Sequence, residues 1–289
     1  MQLKPLFIVP VVVLIAVGVY IANTPADIAN NEADTATVSK AANKVKKGGA
    51  VADFAAVEGR PDFKNIADVQ EKKDTFFQYM LPMIREANAG ILADREIVEG
   101  FSSKVAAGEA LSAADSATLA VMFENYRMNV EATPTPKDLA ELLVRTDVVP
   151  ASLVLAQSAN ESGWGTSRFA VRANNFFGLW CFNPGCGLTP QQRNDGATHE
   201  VAKFDEVDDG VAYYVYTINT NNAYKELRRI RAGLREDDRN ITGVELAEGL
   251  LRYSERGEEY VKEIQSMIEY NKLSEYTLAT AELDAPRPG

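Results

Sequence analysis

Histidine and cysteine are scarce in this chain. Its 289 residues include one histidine, His199, and two cysteines, Cys181 and Cys186. A multi-histidine metal centre is therefore excluded, and a Ser-His-Asp triad has only His199 to draw on. Positive charge is not in excess either. The formal net charge is -11, which argues against nucleic-acid binding, since such proteins carry a basic face. No internal repeat is present. What remains is ordinary globular composition and a length that suits one or two domains with a real core.

One long apolar run stands out. Lys4 precedes "PLFIVPVVVLIAVGVYIA", Pro5 to Ala22, and Asp27, Glu32 and Asp34 follow it. The run is near the minimum that spans a bilayer. Its positive flank is expected to stay in the cytoplasm while the acidic side crosses. Residues 1–22 read as a membrane anchor or, with "NTPA" as a weak cleavage site, as an export signal. On either reading the remainder is exported: anchored in the inner membrane facing the periplasm, or released into the periplasm after cleavage. Residues 23–60 are rich in Ala, Asn, Asp and Lys and poor in large apolar side chains, as in a flexible tether.

Residues 61–149 read as a helical region. In "KKDTFFQYMLPMIREAN" the apolar Phe76, Phe77, Met80, Leu81 and Ile84 share a face, and Pro82 is expected to kink or divide that helix. Ser112 is an N-cap candidate, and "TPTPKDLAELLVRTD" places prolines at a helix start. Residues 150–275 read as a catalytic core and 276–289 as a disordered tail. A helix is expected from Pro150–Ser152 to Glu161, closed by Gly163 in a left-handed cap. "THEVAKFD", Thr198 to Asp205, alternates as a short strand. Helices return in "VDDGVAYYVYTINT" and "GEEYVKEIQSMIEYNKL", the latter with Val261, Ile264, Met267 and Ile268 as a buried stripe.

The stretch "LVLAQSANESGWGTSRFAVRANNFFGLW", Leu153 to Trp180, ends an apolar helix on a lone glutamate beside a tryptophan between glycines. Glu161 falls in the last turn, where the helix dipole disfavours an anion. Trp164 is placed to cover it with apolar surface. Both effects raise a carboxyl pKa; the plain alternative is a solvated glutamate at a helix end. Cys181 and Cys186 enclose "FNPG". Export permits a disulfide, which the Pro184–Gly185 turn favours; the rival, a structural zinc site, has too few soft ligands.

The elements "AQSANESGWGTSRFAVRANNFFGLWCF", "GCGLTP" and "YSERGEEYVKEI" resemble the glucosaminidase-domain family of bacterial cell-wall hydrolases, glycoside hydrolase family 73, and most closely its Bax-type members. The resemblance covers about residues 70–275. It implies an α+β, mainly α, lysozyme-like fold: a helical lobe, a small β-hairpin lobe and a cleft between them. It implies hydrolysis of the β-1,4 bond after N-acetylglucosamine in peptidoglycan glycan strands, with the acid of "ESGWG", Glu161, as catalyst. Some relatives carry a small residue where Asn160 stands; Asn160 is expected to face another side of the helix.

A second group opposite the acid is expected. Among Asp195, Glu200, Asp205 and Glu206, the strand residue Glu200 ranks first. The resemblance also places a tyrosine in the cleft, assigned to Tyr253, with Tyr260 a substrate contact or a core residue. Phe177, Trp180 and Trp164 are expected to line the substrate. Asn174 and Asn175 read as turn caps. No cofactor, metal or nucleic acid is implied, and no protein partner can be named. Two rivals to a glucosaminidase are a lytic transglycosylase on the same fold and an inactive, membrane-tethered glycan-binding scaffold.

Overall fold

The structure, a computed structural model, describes residues 59–130, 133–190 and 199–281. The apolar run Pro5–Ala22, nearly all of the 23–60 segment, Asp195 and residues beyond 281 lie outside these. Among the described residues no helix is long and apolar enough to cross a membrane.

Helix α1, Val69–Ala106, starts where the Asp68 side chain accepts the Glu71 N–H at 2.8 Å. It runs through Pro82 without ending. The expected division there does not occur. Phe76, Met80 and Ile84 before and after the proline are fully buried, so packing across that turn outweighs one lost backbone hydrogen bond. Helix α2, Ala113–Asn125, opens with a Ser112–Asp115 capping box, and α3, Pro136–Arg145, with a Thr135–Asp138 box and proline in its first turn. Each box satisfies amide groups that the first helical turn leaves unpaired.

Helix α4, Ala151–Ser162, is the centre of the molecule. Residues Ala151 to Ala159 are all buried, as befits a helix enclosed on every side. It packs against α1 and against α8 (Gly243–Ala247), α9 (Glu258–Tyr270) and α10 (Ser274–Ala281). Thr277 fastens α10 to it, its Oγ1 accepting from Ser152 N at 3.1 Å and donating to Ser152 Oγ at 2.9 Å. The expected tail from residue 276 is thus helical as far as Ala281.

The turn that feeds α4 is held by buried charge. Arg235 binds Asp147 through two hydrogen bonds, of 2.8 and 2.6 Å, and Arg95 approaches it at 3.5 Å. Arg231, fully buried, donates to the carbonyls of Val144, Asp147 and Val148 at 2.9 Å. Asn88 of α1 bonds both polar groups of the Val149 backbone. Arg231 and Arg235 belong to α7, Lys225–Glu236.

After α5, Arg168–Ala173, come three short strands: β1 Trp180–Cys181, β2 Gly187–Leu188 and β3 Glu200–Ala202. β3 lies in the middle, antiparallel to both, pairing Val201 with Trp180 and with Leu188. The expected hairpin is therefore a three-stranded sheet. Helix α6, Val207–Thr220, returns the chain to the helices. One continuous apolar core runs from Phe63 to Leu273, so residues 61–149 and 150–275 are not packed separately. The result is a mainly α, α+β fold of lysozyme type, with the small sheet beside the helical lobe.

Candidate active site

The "ESGWG" element makes an abrupt reversal at the end of α4. Gly163, Trp164 and Gly165 all adopt positive φ, of 55°, 57° and 76°. Gly163 caps the helix, its N–H returning to the carbonyls of Ala159 and Asn160. A Cβ at Gly165 would come within 2.4 Å of the Phe63 ring, so no larger residue fits. Trp164 bears a conformation that costs a non-glycine residue roughly 1–2 kcal/mol. Its indole offsets this by packing edge-on against Phe76 and Phe77 at 5.6 and 5.5 Å, with the Lys73 ammonium 5.3 Å from its centroid. Trp164 therefore clamps the turn to α1. That contact, rather than the expected cover over Glu161 or a sugar, is the one the structure shows for this ring.

Glu161 is half-buried at the end of α4. Tyrosines surround it. Tyr214 comes from α6, Tyr224 from the 3-10 turn Asn222–Tyr224, Tyr253 from the segment before α9, and Tyr260 from α9 itself. All four are buried, and the charge of Glu161 bears on each. Burial pushes the carboxyl from an ordinary 4.5 up to about 7; hydrogen bonds from Tyr260 and Asn160 pull the other way, and the Glu263 and Arg256 charges oppose one another. Asn160 thus touches the acid, contrary to the expectation that it faces elsewhere: the last turn leaves room for both side chains on the open end of the helix.

The two tyrosines of the "YSERGEEY" element exchange the places expected of them. Tyr253, 1 % exposed, donates its hydroxyl to the Phe177 carbonyl at 2.8 Å. Tyr260, 2 % exposed, hydrogen-bonds Glu161 and accepts from Gln157 Nε2 at 2.9 Å. Their rings stack in parallel, centroids 5.4 Å apart. The hydroxyl at the acid is therefore that of Tyr260, and neither ring offers a face to a sugar. Phe177 is likewise closed to substrate: it is 1 % exposed and stacked on Tyr214 at 4.2 Å.

The β lobe carries the remaining expected residues. Cys181 and Cys186 are disulfide-bonded. Glu200 does not reach across to Glu161. Its two carboxylate oxygens accept the N–H groups of Gly185 and Gly187, at 3.2 and 2.8 Å, and close the disulfide loop. Cys181, Cys186 and Glu200 cluster as metal ligands would, yet both sulfurs are spent in the disulfide. Trp180 stays partly exposed and stacks on His199 at 4.0 Å. Asn175 caps the preceding turn, accepting from Phe177 N and Leu179 N and donating to the carbonyls of Leu179 and Ala202. Asn174 adopts the left-handed conformation at the end of α5 and donates to the carbonyls of Phe204 and Asp205.

Gln157 was not singled out by the sequence reading, although a signal exists. It lies one helical turn before Glu161, on the same face of an otherwise apolar helix, and is fully buried. Its Oε1 accepts the Tyr214 hydroxyl.

A carboxyl group raised to about 7 by burial, on a lysozyme-type frame, is an arrangement that glycoside hydrolases use. Known proteins agree with that class. The glucosaminidase family model, described as mannosyl-glycoprotein endo-beta-N-acetylglucosaminidase, matches residues 137–273. Protein bax of Escherichia coli (strain K12) is 31% identical over 212 residues, covering 73% of this chain and 74% of that protein. The chain belongs to the glucosaminidase-domain family, among its Bax-type members. No solved structure matches it significantly.

Proposed function

We propose that the protein is a peptidoglycan hydrolase that cleaves the β-1,4 bond after N-acetylglucosamine, with Glu161 as general acid. The observation that carries this reading is the Glu161 carboxyl, raised to about 7 within a ring of neutral tyrosines. Such a group keeps its proton in a large share of molecules near neutral pH and is a strong enough acid to protonate the departing glycosidic oxygen. Once it has lost the proton, hydrogen bonds from Tyr260 and Asn160 stabilise the carboxylate. Trp180, partly exposed beside the disulfide loop, serves as a stacking face for a sugar ring. Glu200 shapes that loop. The Pro5–Ala22 run holds the enzyme at the inner membrane, facing the glycan in the periplasm.

Digestion of purified peptidoglycan, with mass analysis of the products, tests this directly. Reducing N-acetylglucosamine ends are expected. One observation favours a second reading: the side chain expected to oppose Glu161 is turned into its own loop, and a lytic transglycosylase needs a single carboxyl group. Anhydro-muramyl ends would establish that reading instead. Absence of any cleavage would leave the glycan-binding scaffold.

A further inference from the structure

We propose that the Cys181–Cys186 loop, once its disulfide is reduced, binds a soft divalent cation of the Zn²⁺ class through both cysteine sulfurs and the Glu200 carboxylate. The inference is independent of the reading of Glu161 as the acid.

The three groups are already together. Both sulfurs and a Glu200 carboxylate oxygen lie within 4.8 Å of one another. Cys181 and Glu200 face each other across the β1–β3 ladder, which sets their side chains next to each other on one face of the sheet. Four residues separate Cys181 from Cys186, within the two to four typical of cysteine pairs that bind zinc. The trio does not depend on the S–S bond to stay assembled. The Cys186 carbonyl accepts the Lys203 N–H at 3.1 Å, and its own N–H closes a turn on the Asn183 carbonyl at 3.1 Å. Glu200 takes the N–H groups on either side of Cys186, those of Gly185 and Gly187. Cys181 is held by the ladder itself, where the neighbouring Leu179 carbonyl accepts Ala202 N–H at 2.8 Å.

A dithiol reductant supplies two electrons and two protons. The S–S bond breaks, two thiols form, and the reductant closes a disulfide of its own. Side-chain rotation then lets the sulfurs part to about 3.8 Å, the spacing of two ligands at about 2.3 Å on a tetrahedral ion. Zn²⁺ displaces both thiol protons to solvent and takes two thiolates and a carboxylate oxygen, with water in the fourth position. The carboxylate has lone pairs to spare, since each oxygen accepts a single N–H. Thiolate ligands select such an ion over Mg²⁺ or Ca²⁺. All three side chains are half-buried, so ion and reductant can reach them. His199 is not in the set: it stacks on Trp180, whose side chain alternates to the face opposite Cys181.

The test is titration of the full chain, reduced with a phosphine that brings no thiol of its own, with Cd²⁺ and then with Zn²⁺ as competitor. The chain has no other cysteine, so the sulfur-to-cadmium absorption band reports on this loop alone. One Cd²⁺ per chain is expected, with a band that appears only after reduction and is displaced by Zn²⁺. Glu200→Gln keeps both thiols and should weaken binding by about 10–100-fold, the loss that even an outer-shell partner of a metal causes. His199→Gln should bind like the wild type. No band in the reduced wild type would overturn the proposal, as would half an ion per chain, which would mean that two chains share it. Unchanged affinity in Glu200→Gln, or an equal loss in His199→Gln, would overturn the ligand set. Cadmium-113 NMR of the wild type gives the same answer without a variant: two sulfur ligands completed by oxygen support the site, and two completed by nitrogen contradict it.

Discussion

Two carboxyl groups bracket helix α4, and the protein treats them in opposite ways. Asp147 lies in the turn before the helix, 2 % exposed. Burial works against its ionisation, but the Arg235 hydrogen bonds and the charges of Arg231, Arg235 and Arg95 hold it below its ordinary 3.8. Glu161 lies at the other end and is more open. Tyrosines supply its surroundings, and burial raises it to about 7. The comparison shows that depth alone does not set protonation. The deeper acid is the ionised one, because guanidinium groups face it; the shallower acid is raised to about 7 because burial outweighs the hydrogen bonds and the Arg256 charge that favour its ionised form. One end of the helix holds a fixed charge, and the other holds a carboxyl group whose pKa lies near neutral pH.

Replacing each acid separates the two roles. Glu161→Gln keeps the shape and removes the transferable proton, so hydrolysis of a peptidoglycan fragment should fall by about 10²–10⁴ with the fold retained. Near-normal turnover would break the assignment. Asp147→Ala strands buried guanidinium groups, and urea unfolding should show a loss of about 3–5 kcal/mol. A loss well under 1 kcal/mol would mean that the arginines are satisfied by the Val144 and Val148 carbonyls alone.

The pH dependence of stability sharpens the contrast, because the signs differ. The Glu161 pKa is raised on folding, so its protonated form favours the fold. That contribution is whole below 4.5 and is lost as pH rises through about 7. The Asp147 pKa is depressed on folding; its contribution is present above 3.8 and is lost as pH falls below it. Glu161→Gln should therefore be more stable than the wild type at pH 8, by about 3 kcal/mol at most, and no more stable at pH 4. The same difference at both pH values would show that the gain has nothing to do with ionisation. The smallest effect is expected at Trp180→Ala. Loss of a stacking face should raise KM by about 2–10-fold and leave kcat and stability nearly unchanged.

Local chemistry was readable in the sequence; what depends on distant partners was not. The caps at Ser112 and Gly163 and the proline-led start of α3 need only neighbouring residues, and the "ESGWG" resemblance singled out Glu161. Pro82 does not divide the helix because packing on both sides of it overrides its local preference. β1 and β2 are two residues each and exist only through β3, so no periodicity marks them. Nothing local in "KELRRIRAGLRE" marks Arg228 and Arg231 as buried; carbonyls and Asp147, far away in sequence, receive them. Tyr253 was misplaced for the same reason: its hydroxyl is taken by the Phe177 carbonyl, 76 residues away in sequence.

The most direct test of the opposed acids is a carboxyl-carbon NMR titration of both in one wild-type sample, with Glu161 identified by its disappearance in Glu161→Gln. Glu161 is expected to titrate near about 7 and Asp147 below 3.8. A Glu161 midpoint in the ordinary range around 4.5 would contradict the account, since the group would then arrive at the glycosidic bond with no proton to give.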